Sequence, residues 1–405
     1  MKYWVFIFIV IILGLAPAAE GQASDKLVVG GNKFSLEKDG SREFTLPVKK
    51  GDYVELNWGR QFAAGYWAEL SVLSPSGKEL MDAETFTMIA PADGMYRVRV
   101  TLKGSETSKA GVPQSLELAY RDNFVPPADS TVREARKING YDVKIIVPKN
   151  ADEGGESILL IEKAGKAQAV VKGESYGSLG FNFADKSGEA GDASAKLFAS
   201  TVDKTGDGNP DVAVEYYSGG AHCCFTMYFF ELGPEVVKIP ALETGDASIS
   251  AKRRNPTGGL ILETADNVFA YWNVPFALSP FGPLVLEFRD GQFRPSAADM
   301  LKPAPSRAAL VKKASEARKL MNDVPYRGSA YAGLSEDERD VFQDAFWGEM
   351  IDLIYTGHTN LAWQYLDMVW PETKKGKELF KSEFQEQLSR SQFWDDLKHL
   401  EAGKK

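Results

Sequence analysis

The residues best suited to chemistry lie in one run, Asp203-Lys204-Thr205-Gly206-Asp207-Gly208-Asn209-Pro210-Asp211. With Asp203 as position 1, side-chain oxygens fall at positions 1, 3, 5 and 9. Position 7, Asn209, offers a backbone carbonyl, and the glycine at position 6 permits the sharp bend. Oxygens converging from this spacing suit a hard cation. Ca2+ in a structural role is the expected occupant, with Asp203, Thr205, Asp207, Asn209 and Asp211 as its ligand set. Three carboxylates in nine residues repel one another unless a cation or solvent screens them. The competing reading is a metal-free Asx-rich turn, because Asp, Gly, Asn and Pro are also what a tight turn selects.

Both cysteines and one of the three histidines follow closely, in Ser218-Gly219-Gly220-Ala221-His222-Cys223-Cys224. Four readings compete. The expected one is a vicinal Cys223–Cys224 disulfide that stiffens a turn. Neighbouring Cα atoms are ~3.8 Å apart, below the usual ~4.4–6.8 Å, so such a ring is strained and reducible, which also permits a thiol-disulfide sensor. Buried thiols are the second reading. A soft-metal site with His222 is the third, although neighbouring strand side chains point to opposite faces and no fourth ligand is evident. A cysteine nucleophile with His222 as base is the fourth, and alternation separates those neighbours too.

Other signals carry less chemistry. Gly173-Glu174-Ser175-Tyr176-Gly177 matches a nucleophile elbow, but a Gly- and Asp-rich stretch follows where that motif needs a helix. His358 and His399 read as surface or capping residues. The acids Asp395-Asp396 and Glu336-Asp337-Glu338 suit a helix N-terminus or a solvated face. Walker and dinucleotide glycine patterns are absent.

The 203–211 loop departs from EF-hand spacing, with Val214 where a glutamate belongs at position 12 and strand-like residues where helices should flank it. A loop of this type between strands resembles the calcium loops of FG-GAP and VCBS repeats, over about 30 residues from Lys196 to Glu215 and the strand that follows. That resemblance implies the ligand set named above, with Thr205 in place of the usual Asp or Asn lowering the ligand charge. Its combination with Tyr217-Ser218-Gly219-Gly220-Ala221-His222-Cys223-Cys224 is similar to one seen in uncharacterised exported bacterial proteins.

The elements that must position these residues are mainly strands. The 405 residues are 44% hydrophobic, 11% aromatic and 25% charged, which fits folded protein of two to four domains. The net charge of −9 argues against nucleic acid and anionic lipid as partners. Lys2, the apolar run Trp4 to Leu13 and the small residues around Ala18 and Ala23 read as a signal peptide over 1–23, and no cysteine nearby suits a lipoprotein. No later segment is apolar for long enough to span a membrane. Export places the protein in the periplasm or medium, where disulfides persist and calcium is plentiful.

From 24 to 125 short strands alternate with turns at Lys50-Gly51-Asp52, Ser74-Pro75-Ser76-Gly77 and Asp93-Gly94, predicting a β-sandwich. This order of turns resembles the bacterial pre-peptidase C-terminal domain, an accessory module of exported proteins, which implies fold and no functional residues. Pro126-Pro127 and Asp129-Ser130-Thr131 mark a linker over 126–134. The region 135–300 reads as β-rich and propeller-like or irregular, with strands including Lys196 to Val202, Asp211 to Tyr217 and Phe225 to Leu232. A linker helix is expected within 301–334. A helical bundle follows over 335–405, opened by a Ser335/Glu338 capping box, with Trp347, Trp363, Trp370 and Trp394 as core or as anchors of a partner groove. The fold class is therefore mostly β with an α-helical C-terminal bundle.

Three functions compete on these residues. The favoured one is a non-enzymatic envelope protein, a calcium-stabilised β-scaffold that binds a partner protein or a polymer, with aromatics such as Trp67 or Trp272 available for contact. The second is an exported hydrolase using His222 or the loop carboxylates. The third is a sensor through Cys223 and Cys224.

Overall fold

The structure, a computed structural model, describes residues 25–36, 40–59, 66–82, 85–104, 112–150, 154–175, 179–186, 193–219, 225–329, 342 and 344–401. The expected signal segment and the Ser335/Glu338 capping box lie outside the described residues. The chain is mostly β, 42% strand and 21% helix, and divides into compact units between Phe124 and Val125.

The first unit holds β1 (Asp25–Lys26), β2 (Gly30–Leu36), β3 (Ser41–Val48), β4 (Tyr53–Gly59), β5 (Tyr66–Leu73), β6 (Glu79–Asp82), β7 (Thr85–Ile89), β8 (Gly94–Gly104) and β9 (Val112–Arg121). They form two sheets, ordered β1-β3-β8-β5-β6 and β2-β9-β4-β7. Alternation explains the layering: Tyr96, Val98, Val100 and Leu102 of β8 are fully buried while Arg97 and Arg99 between them are exposed. The buried set joins Val54, Leu56, Leu70, Val72, Leu116 and Leu118 in one core, and burying each such aliphatic side chain contributes about 1.5–3 kcal/mol. The turn glycine Gly94, at φ +142°, lies where a Cβ would meet Pro75 Cγ at 2.7 Å.

The second unit holds thirteen strands and seven helices among its described residues. The strands are β10 (Ser130–Ile138), β11 (Tyr141–Pro148), β12 (Gly155–Lys163), β13 (Lys166–Ser175), β14 (Gly180–Phe183), β15 (Asp211–Tyr217), β16 (Phe225–Leu232), β17 (Val236–Lys238), β18 (Leu242–Gly245), β19 (Ser250–Arg254), β20 (Leu260–Asp266), β21 (Gly282–Arg289) and β22 (Gln292–Pro295). The helices are α1 (Ala193–Phe198), α2 (Ala297–Met300), α3 (Arg307–Arg318), α4 (Gly348–Tyr355), α5 (Thr359–Val369), α6 (Lys377–Ser389) and α7 (Trp394–Leu397). The strands make three antiparallel sheets in chain order, β10-β11-β12-β13, β14-β15-β16-β17 with β18 also on β16, and β19-β20-β21-β22. Among the described residues no closed barrel or propeller forms.

The middle sheet is buried on both faces. In β15, Val212 and Val214 join a core with the first sheet's Val143, Ile145, Leu159 and Ile161. Ala213, between them, joins Phe229, Leu260, Leu262, Leu284 and Leu286 in a second core that continues into the helices. Period-two alternation thus assigns one strand to two cores, as expected for a sheet covered on both sides.

Three expectations are corrected. Lys196 to Val202 is not a strand: α1 ends at Phe198 and a turn follows. Ala, Lys and Leu favour the helix, Phe198 is buried, and Ser194 Oγ accepts a hydrogen bond from Ala251 N at 2.8 Å. The linker 126–134 is shorter than expected, because Ser130 already pairs with Pro148 in β10. Helix α3, within 301–334, is more than a connector, and the described residues of 335–405 form no core separate from it. Leu310 and Ala314 of α3 and Phe380 and Phe384 of α6 share the core of the third sheet. Ser306 caps α3 as its sequence suggests, accepting from Ala309 N at 3.2 Å.

Trp347 and Trp370 are buried in that core, and Trp363 and Trp394 pack against it. Among the described residues, no helix is long and apolar enough to cross a membrane.

Candidate metal centre

The loop 203–211 enters β15 at Asp211 and takes its shape from its own carboxylates. Asp203 Oδ1 accepts from Thr205 N at 3.1 Å and Gly206 N at 2.6 Å, and Asp203 Oδ2 accepts from Gly208 N at 2.8 Å. Asp207 accepts from Asn209 N at 2.7 Å and Asn209 Nδ2 at 2.9 Å. These Asx interactions curl the backbone so that the next acid returns to the same point. Gly206 and Gly208 adopt φ +91° and +89°, the left-handed region that a glycine occupies without strain.

Asp203, Asp207 and Asp211 thereby offer oxygens that all lie within 4.8 Å of one another. Asp203 is half-buried, Asp207 exposed and Asp211 fully buried. Asp211 Oδ2 accepts from Lys204 N at 2.7 Å and Thr205 N at 3.0 Å, whereas Asp211 Oδ1 is buried without a hydrogen-bond partner. Thr205 Oγ1 is likewise buried and unpartnered. Burial raises the Asp211 carboxyl above the ordinary aspartate value, against the lowering effect of its backbone donors and of Lys204.

Two further features hold the loop. Lys204 is fully buried, and its ammonium donates to the carbonyls of Ala199 at 3.0 Å, Val202 at 2.9 Å and Asp211 at 2.6 Å. Burial lowers its pKa. The loop also leans on the β19–β20 turn: Leu260 N donates to Lys204 O at 2.7 Å, and Arg254 Nη1 donates to Asp203 O at 2.9 Å and Gly258 O at 2.7 Å. The approach is close enough that a Cβ on Gly206 would lie 2.7 Å from Thr257 O.

Of the five sequence-predicted ligands, the three aspartates converge, the Thr205 hydroxyl sits buried beside them, and Asn209 braces Asp207 through its amide. Sequence spacing did not reveal Glu231, which stands opposite Asp211 in the β15–β16 register. Its carboxyl is raised first by burial and then by the charges of Asp207 and Asp203. The signal was present in hidden form, since β15 and β16 are both legible as strands but their register is not.

Cys223, Cys224 and His222 lie outside the described residues, as do Tyr176 and Gly177 of the elbow motif. His358 sits at the start of α5 with Nε2 2.7 Å from Lys302 O. Asp395 and Asp396 open α7 and pair with Lys398 and Arg294. Trp272 is buried, and the exposed aromatic of that loop is its neighbour Tyr271, 39% exposed at φ +61°. A separate buried cluster joins β20 to the helices, where the hydroxyls of Tyr355 and Ser391 donate to Asp266 Oδ2. Burial and the Asp266 charge raise the Tyr355 pKa far, so Tyr355 stays a hydrogen-bond donor.

No family model matches the chain and no curated protein matches it in sequence, so the two resemblances rest on the residues quoted for them. Among solved structures, it is similar to PliG of Aeromonas hydrophila, a periplasmic inhibitor of g-type lysozyme, at 17% identity and TM-score 0.20, over 24% of this chain and 96% of that one. PliG of Salmonella Typhimurium gives 13% identity and TM-score 0.18, over 24% and 98%. The Bacillus licheniformis lipase BlEst2 in propeptide form gives 11% identity and TM-score 0.16, over 58% and 43%. TM-scores of this size assign neither a fold nor an activity to this chain.

Proposed function

We propose that this protein is an exported, calcium-stabilised β-scaffold that acts by binding a partner protein or a cell-envelope polymer. One observation carries the reading: Asp203, Asp207 and Asp211 converge while a buried oxygen of Asp211 has no hydrogen-bond partner. An orphaned buried acceptor costs about 1–3 kcal/mol, and like charges at this range add to it. A hard dication at the meeting point satisfies the oxygen, neutralises the cluster and completes the ligand set. Because Arg254 and Leu260 hold the same loop, the ion stiffens the junction between the second and third sheets, and its binding energy becomes folding energy. The exposed side chains of Tyr271 and Leu278 support a partner contact on their loop.

The test is thermal unfolding of the full chain in EDTA and in millimolar calcium, beside Asp207→Ala. A ligand that binds only the folded state stabilises it by about 4 kcal/mol at a thousandfold excess over Kd. The midpoint should rise by several degrees in calcium, and Asp207→Ala should abolish the rise. Coincident curves for the parent protein would reduce the loop to a turn.

A further inference from the structure

We propose, on the basis of the cation reading above, that Glu231 of β16 is a further ligand of the same ion, taking the place of the position-12 glutamate that the loop lacks. At position 12 the chain carries Val214, whose side chain is buried in the core between the first two sheets. That position therefore cannot turn toward the ion. Glu231 approaches from the adjacent strand instead, paired in register with Asp211. Directly opposed residues of an antiparallel pair share a face, with Cβ atoms about 4.5–5.5 Å apart. Asp211 has the parity of Ala213, and Glu231 that of Phe229, so both acids stand on the face toward the third sheet, where the loop folds over.

Opposed like charges on a half-buried face are destabilising unless something between them carries positive charge. The Lys204 ammonium attracts the Asp211 charge, but its three hydrogen bonds go to backbone carbonyls and it does not bridge Asp211 to Glu231. Two buried oxygens of the loop and the strand it enters, Thr205 Oγ1 and Asp211 Oδ1, have no hydrogen-bond partner. The Thr205 hydroxyl lies beside the Glu231 carboxylate and favours its charged form without reaching hydrogen-bond geometry. Glu231 is outside the trio whose oxygens lie within 4.8 Å of one another but feels the charges of Asp207 and Asp203, so its part in the site requires its side chain to turn toward the ion. Such an added carboxylate suits Ca2+, which takes six to eight oxygens in flexible geometry. It does not suit Mg2+, which keeps its own waters in a rigid octahedron.

The experiment is calorimetric titration of EDTA-treated, dialysed full-length protein with CaCl2 and, separately, MgCl2, for the parent, Glu231→Gln, Glu231→Asp, Asp207→Ala and the remote control Glu263→Gln. Loss of a metal-supporting group costs about 10–100-fold in affinity. Glu231→Gln should weaken calcium binding about tenfold or more, and magnesium binding much less. Glu231→Asp should fall between, and Glu263→Gln should match the parent. Far-UV circular dichroism in EDTA checks that each variant is folded. Calcium affinity of Glu231→Gln within about twofold of the parent, with Asp207→Ala inactive, overturns the Glu231 assignment and leaves the loop site standing. No calcium binding by the parent overturns both.

Discussion

Lys204 and Asp211 tie the two ends of the acidic loop to each other twice: Lys204 N donates to Asp211 Oδ2 at 2.7 Å, and Lys204 Nζ donates to Asp211 O at 2.6 Å. A buried cation and a buried anion thus hold one another through backbone groups, and the second carboxylate oxygen is left without a hydrogen-bond partner. The loop is prearranged before any ion arrives.

That arrangement makes Lys204 indispensable. Lys204→Met takes the ammonium away from three carbonyls, of which Ala199 O keeps Val202 N and Val202 O keeps Asp211 N as backbone donors, and it removes the charge beside Asp211; breaking a buried charge arrangement costs about 3–5 kcal/mol. Urea unfolding should show a loss of that size, which calcium only partly restores. A midpoint unchanged from the parent would mean the ammonium is dispensable.

Gly206→Ala should damage the loop from its other side. The new Cβ would meet Thr257 O at 2.7 Å, and φ +91° is unfavourable for alanine by about 1–2 kcal/mol. Stability should fall by about 2 kcal/mol or more, with weaker calcium binding in the same variant. Gly208, at φ +89° with open space around its Cα, should tolerate alanine better. Equal losses at the two glycines would exclude contact with the β19–β20 turn as the cause.

Asp211 gives a pH signature. Burial raises its carboxyl from 3.8 to about 6 in the metal-free protein. The folded chain then holds a proton at a pH where the unfolded chain has released it, so this group's contribution to stability falls as pH rises from about 4 to 6. Calcium binds the deprotonated form, so saturating calcium reverses the trend. Melting curves across this range in EDTA should have a shallower dependence on pH for the parent than for Asp211→Asn, because the parent carries this opposing term beneath the general gain as other carboxylates ionise. Parallel profiles would show that Asp211 has an ordinary pKa.

Adjacent aromatics should separate stability from binding. Trp272 contacts Trp347, Phe380 and Phe384 in the core, so Trp272→Ala should cost about 3–5 kcal/mol. Tyr271→Asn retains a residue type that accepts positive φ and should leave the melting point within about 1 °C. If partner contact lies on this loop, binding to envelope extract should weaken in Tyr271→Asn while the fold is intact. Undiminished binding would move the contact elsewhere.

Much of this molecule is written locally. Alternation such as Tyr96-Arg97-Val98-Arg99-Val100 marks a half-buried strand wherever it occurs, and the helical stripe from Leu361 to Val369 marks α5, so the β-rich class with C-terminal helices is legible from periodicity. The convergence of Asp203, Asp207 and Asp211 is local too, since Asx bonds to backbone N–H groups two to five residues away shape the loop. Partner choice is a different matter. An apolar face is satisfied by any apolar surface, so the stripe of α6 does not say that it covers the third sheet rather than a bundle of its own. The register that sets Glu231 opposite Asp211 and the turn that receives Lys204 O and Asp203 O join residues 20 to 56 positions apart. Their energies exist only once the sheets have stacked, because burial is what makes the Lys204 ammonium need its carbonyls and the Asp211 oxygen need a partner.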